Sequence, residues 1–298
     1  MKHKLCIAVL LVTGFSYMHS QPKLGDLAGG LSGVLGGNST AEKVIKGVAT
    51  AADSINAANN LTPENEYYLG RAVAASIAGM YPVYKNPALQ SYLNKICNTI
   101  VINSPRPDIY KGYHVAILDT DEINAFATPG WHIFVTRGLI ACASSEDALA
   151  SVIAHEAAHI QLRHALTAIR NARYVNAVAS GVTAGSDTIG SGVKEFTDIM
   201  GVSVDEIITT LVVKGYSKSQ ELEADAAALS LLAGAGYQPS GILEMLEALK
   251  QKQDKTKGFG KTHPTPADRI TAAKKNLGKY KVADTSSFRD KRYKEISG

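Results

Sequence analysis

The chain has 298 residues, 45% apolar and 19% charged. That suits one α-rich domain with a real core and short appendages. The net charge is +4, or +2 once Lys2 and Lys4 leave with a leader, which makes no case for nucleic acid.

Lys2-His3-Lys4 precedes an apolar run at 5–15 and then small or polar residues. This is the layout of a signal peptide over 1–20, and the run is too short to span a bilayer readily. Cleavage after Ser16 or after Ser20 fits, and an uncleaved signal anchor stays open. Cys6 lies at the start of the apolar run, which argues against a lipoprotein site. Residues 21–60 are rich in Gly, Ala, Ser and Asn, including Gly29-Gly30 and Gly36-Gly37. They read as a flexible lead-in with one weak helix at 41–58. Peripheral membrane association is conceivable there, although no Trp or cluster of cations supports it.

Residues 61–80 and 87–103 predict amphipathic helices, and 113–118 and 132–135 predict short strands. A loop at 119–130 separates the strands. The small sheet could present an edge to which an extended polypeptide adds as a further strand. Ser144-Ser145-Glu146-Asp147 predicts a helix start, with Ser144 as N-cap and Asp147 at the third helical position. The helix then runs without Pro or Gly over 148–166, with Leu149, Val152, Ile153, Ile160 and Leu162 offering a broad apolar surface.

This helix carries His155-Glu156-Ala157-Ala158-His159, an H-E-x-x-H motif. Helical positions i and i+4 share a face, so the two imidazoles can bind one Zn²⁺. Glu156 lies about 100° round the helix, where it can reach an activated water without ligating the ion. Such a motif also arises by chance, but two His and one Glu inside so apolar a helix are costly unless paired or metal-bound.

Residues 167–214 are rich in Ala, Gly, Ser and Val, with glycines at 181, 185, 190, 192 and 201. No unbroken apolar span of 18 residues occurs there, so no membrane helix is expected. A mobile lid over the active site and a set of packed peripheral helices are both compatible readings. A second helix follows from about Tyr216 to Gly234. Glu221 and Asp225 lie four apart on one face. Glu221 can supply the third ligand, and Asp225 can accept from the free N–H of a ligating His. Glu223 points away and reads as a solvated acid.

Among the remaining histidines, His114 and His132 fall in strand-like runs and read as structural or exposed. His164, five residues past His159, is rotated off the ligand face and suits the helix end. His263 precedes Pro264, which favours an extended loop able to bring the imidazole over the metal. Cys97 and Cys142 remain after leader removal. An exported protein could bridge them, but both sit in apolar stretches that favour buried free thiols. The basic stretch 282–298 reads as a poorly ordered tail.

An H-E-x-x-H helix followed some sixty residues later by Glu221-Leu222-Glu223-Ala224-Asp225 resembles the HtpX/CAAX-prenyl-protease family of gluzincin metallopeptidases. The soluble, exported, BepA-like branch is the nearer match. The resemblance runs over 61–273. It includes Thr62-Pro63-Glu64-Asn65-Glu66, Asn124-Ala125-Phe126-Ala127-Thr128-Pro129-Gly130, Arg163-His164 and His263-Pro264-Thr265-Pro266-Ala267-Asp268-Arg269-Ile270. It implies His155, His159 and Glu221 as ligands of one Zn²⁺ and Glu156 as base. His263 could donate to an oxyanion, or be a plain loop histidine; by the resemblance it could instead occupy a fourth metal position and hold the enzyme latent. Asn124 would contact substrate backbone or oxyanion, with Tyr216 as a second candidate, and Arg269 would pair with Asp225 or another buried acid.

The expected architecture is α+β and mostly helical, with a gluzincin-type peptidase domain at 61–281 and a small β-sheet beside the H-E-x-x-H helix. The expected activity is endopeptidase cleavage of unfolded or misassembled exported proteins, among them outer-membrane proteins. The location would be periplasmic or outer-membrane-associated in a Gram-negative source. Two rivals remain: a zinc-stabilised chaperone with little proteolysis, and an aminopeptidase using the same motif.

Overall fold

The computed structural model describes residues 61–107, 110–169, 203–252, 263 and 266–297. The expected leader, the lead-in at 21–60 and most of the stretch at 167–214 lie outside the described residues.

Helix α1 spans Pro63–Met80 and α2 spans Pro87–Ile102. Both start on the same local device. A cap side chain, Thr62 or Asn86, accepts from a backbone amide of the first turn, and a proline follows whose missing N–H costs nothing there. Helix α2 buries Leu89, Leu93, Ile96, Cys97 and Ile100, the stripe that helical spacing dictates.

The sheet has three strands in the order β1-β3-β2. Strand β1 is His114–Leu118, β2 is Ala125–Ala127 and β3 is His132–Thr136. β1 and β3 run parallel, with Val115 opposite Ile133, and β2 pairs antiparallel to β3, with Phe126 opposite Phe134. β2 falls inside the stretch expected to be loop. Three consecutively buried residues have no alternation to betray a strand. Helix α1 rests on the β2–β3 turn with backbone against backbone. A β-carbon at Gly70 would collide with the Pro129 carbonyl, and one at Gly130 (φ 74) with the Glu66 carbonyl.

A short helix, α3 (Arg137–Ile140), leads to α4, Glu146–Gln161. The cap of α4 is Ser145, whose hydroxyl accepts from the Ala148 amide at 3.0 Å. The start is therefore one residue later than expected, and Asp147 takes the second helical position. The helix also stops earlier, at Gln161. All its residues up to Ile160 are buried, because α2, α6, α7 and the sheet close around it. Helix α5 (Val204–Ile208) runs into a π-helical turn, Thr209–Lys214. Then come α6 (Lys218–Gly234), α7 (Gly241–Lys252), α8 (Pro266–Leu277) and α9 (Ser286–Ser297).

Helix α9 corrects the expectation of a poorly ordered tail. Arg289 and Arg292 reach Asp147 and Glu146 in the first turn of α4, and the Tyr293 hydroxyl donates to the Ala143 carbonyl at 2.8 Å. Cys97 and Cys142 are both free and buried, and burial pushes the Cys97 thiol up to about 12. No helix of the described residues is long and apolar enough to cross a membrane. The architecture is α+β and mostly helical, with the small sheet beside α4, as the sequence led us to expect.

Candidate active site

Helix α4 presents His155 and His159 one turn apart, with Nε2 atoms 3.0 Å from each other. Helix α6 crosses α4 and brings Glu221 to them. Its Oε2 lies 3.5 Å from His155 Nε2 and its Oε1 3.3 Å from His159 Nε2. His263 completes the group, with Nδ1 3.0 Å from both Glu221 oxygens. All four residues are buried, and one donor atom from each lies within 4.8 Å of the others.

The donor set fits a metal ion. Four ligands at about 2.0–2.2 Å around a tetrahedral Zn²⁺ stand about 3.3–3.6 Å apart, near the 3.0–3.5 Å spacings seen. Two imidazoles and a carboxylate are the donors that zinc takes in catalytic sites, although other divalent ions bind such sets. Burial pushes His159 well below the usual imidazole range.

His155 is oriented from behind. Its Nδ1 lies 3.0 Å from Asp225 Oδ1. The Arg269 guanidinium grips that carboxylate with two bonds, Nε to Oδ2 at 2.8 Å and Nη2 to Oδ1 at 2.7 Å. Arg269 Nη1 also stands 3.2 Å from Glu221 Oε2. Burial alone would raise the Asp225 carboxyl, but Arg269 overrides it and holds the group below the ordinary carboxylate range. Burial and Arg269 push His155 down, yet Asp225 and Glu221 accept from it and carry it up to about 9.

Glu156 lies at the edge of the group, its Oε1 3.9 Å from His263 Nε2. Burial raises its carboxyl, with His263 and His155 opposing. Its Oε2 is buried without a hydrogen-bond partner among the described residues. Tyr216 stacks on His159, ring centroids 4.0 Å apart at 16°, and its buried hydroxyl likewise lacks a hydrogen-bond partner there. The residue before it, Gly215, has φ 68 and ψ −163, a conformation only glycine takes easily. That backbone turns Tyr216 out of the π-helical segment and onto the imidazole.

The structure thus brings together His155, His159, Glu221, Asp225, Glu156, His263 and Arg269. Asn124 immediately precedes β2; its Oδ1 accepts from the Ala125 amide and its backbone N–H donates to Thr136 Oγ1. The distances that define the cluster involve none of its atoms. His114 bonds the Lys111 carbonyl and His132 packs near Tyr67, both in the sheet region. Sequence reasoning missed His164, whose Nδ1 is 2.9 Å from His159 Nδ1, and the contact of Glu223 with it.

Residues 85–277 match the family model described as Peptidase family M48. The chain is 27% identical over 232 residues to a putative beta-barrel assembly-enhancing protease of Vibrio cholerae, covering 75% of this chain and 46% of the relative. The beta-barrel assembly-enhancing protease of Escherichia coli K12 is 24% identical over 265 residues, covering 84% and 53%. Mitochondrial metalloendopeptidase OMA1 of Schizosaccharomyces pombe is 30% identical over 194 residues, covering 64% and 53%. The chain spans about half the length of these relatives. Because the family match takes in more than half of the chain, with both α4 and α6 inside it, the chain belongs to peptidase family M48.

Proposed function

We propose that this protein is a zinc-dependent endopeptidase. The observation that carries the reading is the buried set of four donors from α4, α6 and the segment before α8, with an unligated glutamate beside it. His155, His159 and Glu221 would hold the ion. When bound, zinc would supply Lewis-acid polarisation of a carbonyl and acidify a water toward a pKa of about 7.

The chain's own residues do the rest. Glu156, raised by burial and free at Oε2, accepts the proton of the attacking water and delivers it to the departing amine nitrogen. Asp225 and Arg269 keep the His155 ring facing the cluster. Strand β2 forms one edge of the sheet next to α4, and an extended substrate would add there through backbone hydrogen bonds. Asn124, immediately before that strand, would serve the substrate backbone. A bound peptide lying away from β2 would sink this part.

Residues 61–281 would be the peptidase domain, preceded by a signal peptide at 1–20. Substrates would be unfolded or misassembled exported proteins, in the periplasm or at the outer membrane of a Gram-negative source. The leader-like start and the names of the beta-barrel assembly-enhancing relatives support this.

The test is casein hydrolysis by the zinc-loaded protein beside Glu156→Gln at equal metal content. Activity in the parent and none in the variant is the expected result. Equal biological function in Glu156→Gln would favour the chaperone rival, and strict dependence on a free N-terminus the aminopeptidase. A second reading concerns His263, which touches Glu221 from within the cluster. His263→Ala separates its roles: raised activity means that it is a fourth ligand holding the enzyme latent, and lost activity that it serves the oxyanion.

A further inference from the structure

The helix carrying the two histidines breaks where nothing in its composition demands it. No Gly or Pro occurs over 148–166, yet α4 ends at Gln161. Leu162 has φ −83 and ψ −1, and Arg163 takes φ 54, a left-handed conformation that a β-carbon disfavours. Helix resumes at His164. On an unbroken helix His164 would lie about 140° round from His159. The break cancels that rotation and folds the His164 ring back, Nδ1 to Nδ1 at 2.9 Å, both rings buried.

Two outside contacts hold the break. Arg163 Nη2 lies 2.6 Å from Oε1 of Glu66, a buried residue of α1. The Gln220 side chain of α6 donates to the His164 carbonyl at 3.2 Å. On its far side His164 Nε2 stands 3.3 Å from Oε2 of Glu223, also on α6. The partners assign the protons. His159 Nε2 faces Glu221 and His155, so its lone pair is the one available to a metal. The proton then sits on Nδ1 and is donated to His164 Nδ1. His164 must in turn carry its proton on Nε2, aimed at the Glu223 carboxylate. Moving either proton would set two N–H groups or two lone pairs face to face.

We infer that His164 and Glu223 are positioning residues, a relay that fixes the tautomer and ring orientation of His159 for the metal. The inference rests on the metal-site reading above. Helix α6 then orients both α4 histidines, His155 directly through Asp225 and His159 through His164 and Glu223. Orienting partners of this kind change metal affinity by about 10–100-fold. The Glu223 side chain is 63% exposed, so its share is the smaller.

The experiment is the zinc dissociation constant of the full protein, measured by competition with a chromogenic chelator. Circular dichroism checks the fold of each variant. His164→Phe keeps a ring and removes the acceptor, and is expected to weaken zinc binding by about 10–100-fold. His164→Asn places a carbonyl oxygen near the lost Nδ1 and is expected to recover most of that loss. Glu223→Leu is expected to weaken zinc binding a few-fold. The visible spectrum of the cobalt(II)-substituted His164→Phe protein should shift as the His159 ring turns. His164→Phe binding zinc as the parent does would overturn the relay, as would His164→Asn falling as far as Phe. Should His164→Phe not fold, Glu223→Leu at its exposed position decides, and parental zinc affinity there overturns the relay. A parent that binds no zinc would instead overturn the metal-site reading, which its own titration reports separately.

Discussion

Arg289→Ala tests whether α9 braces the helix that carries the cluster. Arg289 Nε lies 2.9 Å from Asp147 Oδ1 and Nη2 lies 3.1 Å from Oδ2, with side chains only 8% and 4% exposed. Its guanidinium also stands 5.5 Å from the centre of the Tyr237 ring. Removing it leaves the Asp147 carboxylate buried. Breaking one side of such a pair costs about 3–5 kcal/mol. Two features of Asp147 pull the figure to the lower end. It accepts from the Gln238 amide at 2.9 Å, and it sits in the first turn of α4, where the helix dipole contributes about 0.3–1 kcal/mol. The expected loss is therefore about 3 kcal/mol out of a total of roughly 5–15. Urea denaturation at pH 7 would read it as a lower midpoint at constant slope. Lys218→Ala is the control. Its ion pair with Asp268 is as short, at 2.7 Å, but 62% and 53% exposed, so it should cost less than about 1 kcal/mol. Asp147→Asn combined with Arg289→Ala removes the stranded charge and should regain about 1 kcal/mol or more. A loss below about 1 kcal/mol in Arg289→Ala, or a double variant no better than the single, would refute the reasoning.

Zinc should stabilise the fold by mass action, about 2.7 kcal/mol at a free concentration 100 times its dissociation constant. Thermal unfolding with and without a chelator reads this as a shift of about 5 °C or more, and equal midpoints would count against the site. His132 should make stability fall in mild acid. Burial, helped by His114 and Arg71, lowers it from 6.5 to about 4, so the unfolded chain takes up the proton first. The stability it supports is whole above about pH 6.5 and declines as pH drops toward 4, by at most about 3 kcal/mol. The difference between parent and His132→Gln unfolding curves isolates it, and parallel pH profiles would contradict the assignment. Tyr216→Phe keeps the stack on His159 and deletes a buried hydroxyl without a partner among the described residues. Its stability should equal or exceed the parent's, since an unsatisfied buried group costs about 1–3 kcal/mol. A loss of more than about 1 kcal/mol would mean that the hydroxyl has a partner.

What could be read in advance follows from the range of the interactions. His155 with His159, and Glu221 with Asp225, each lie one helical turn apart, so two local periodicities place four chemical groups on two faces. The crossing of α4 by α6 then needs only two apolar helices in contact. Helices α1 and α2 announced themselves by an amphipathic pattern at helical spacing. Strand β2 did not, because its three residues are held by β3 rather than by a pattern of their own. Helix α9 was hidden for the opposite reason. Ser286–Ser297 has no apolar stripe, and its anchors are arginines that find Glu146 and Asp147 some 140 residues away. Charges far apart in sequence leave no local signature.

The break after α4 belongs with α9. It is marked neither by Gly nor by Pro; there Arg163, in a left-handed turn, meets Glu66 of a helix about a hundred residues earlier. Read as a continuous helix, the sequence puts His164 on the wrong face and leaves Glu223 a solvated acid. With the turn in place, both meet His159. Apart from β2, the features that sequence reading lost are therefore those that meet distant buried charge. They are also the features that attach the two histidines of α4 to the rest of the molecule, through Asp147 at one end of the helix and Arg163 just past the other.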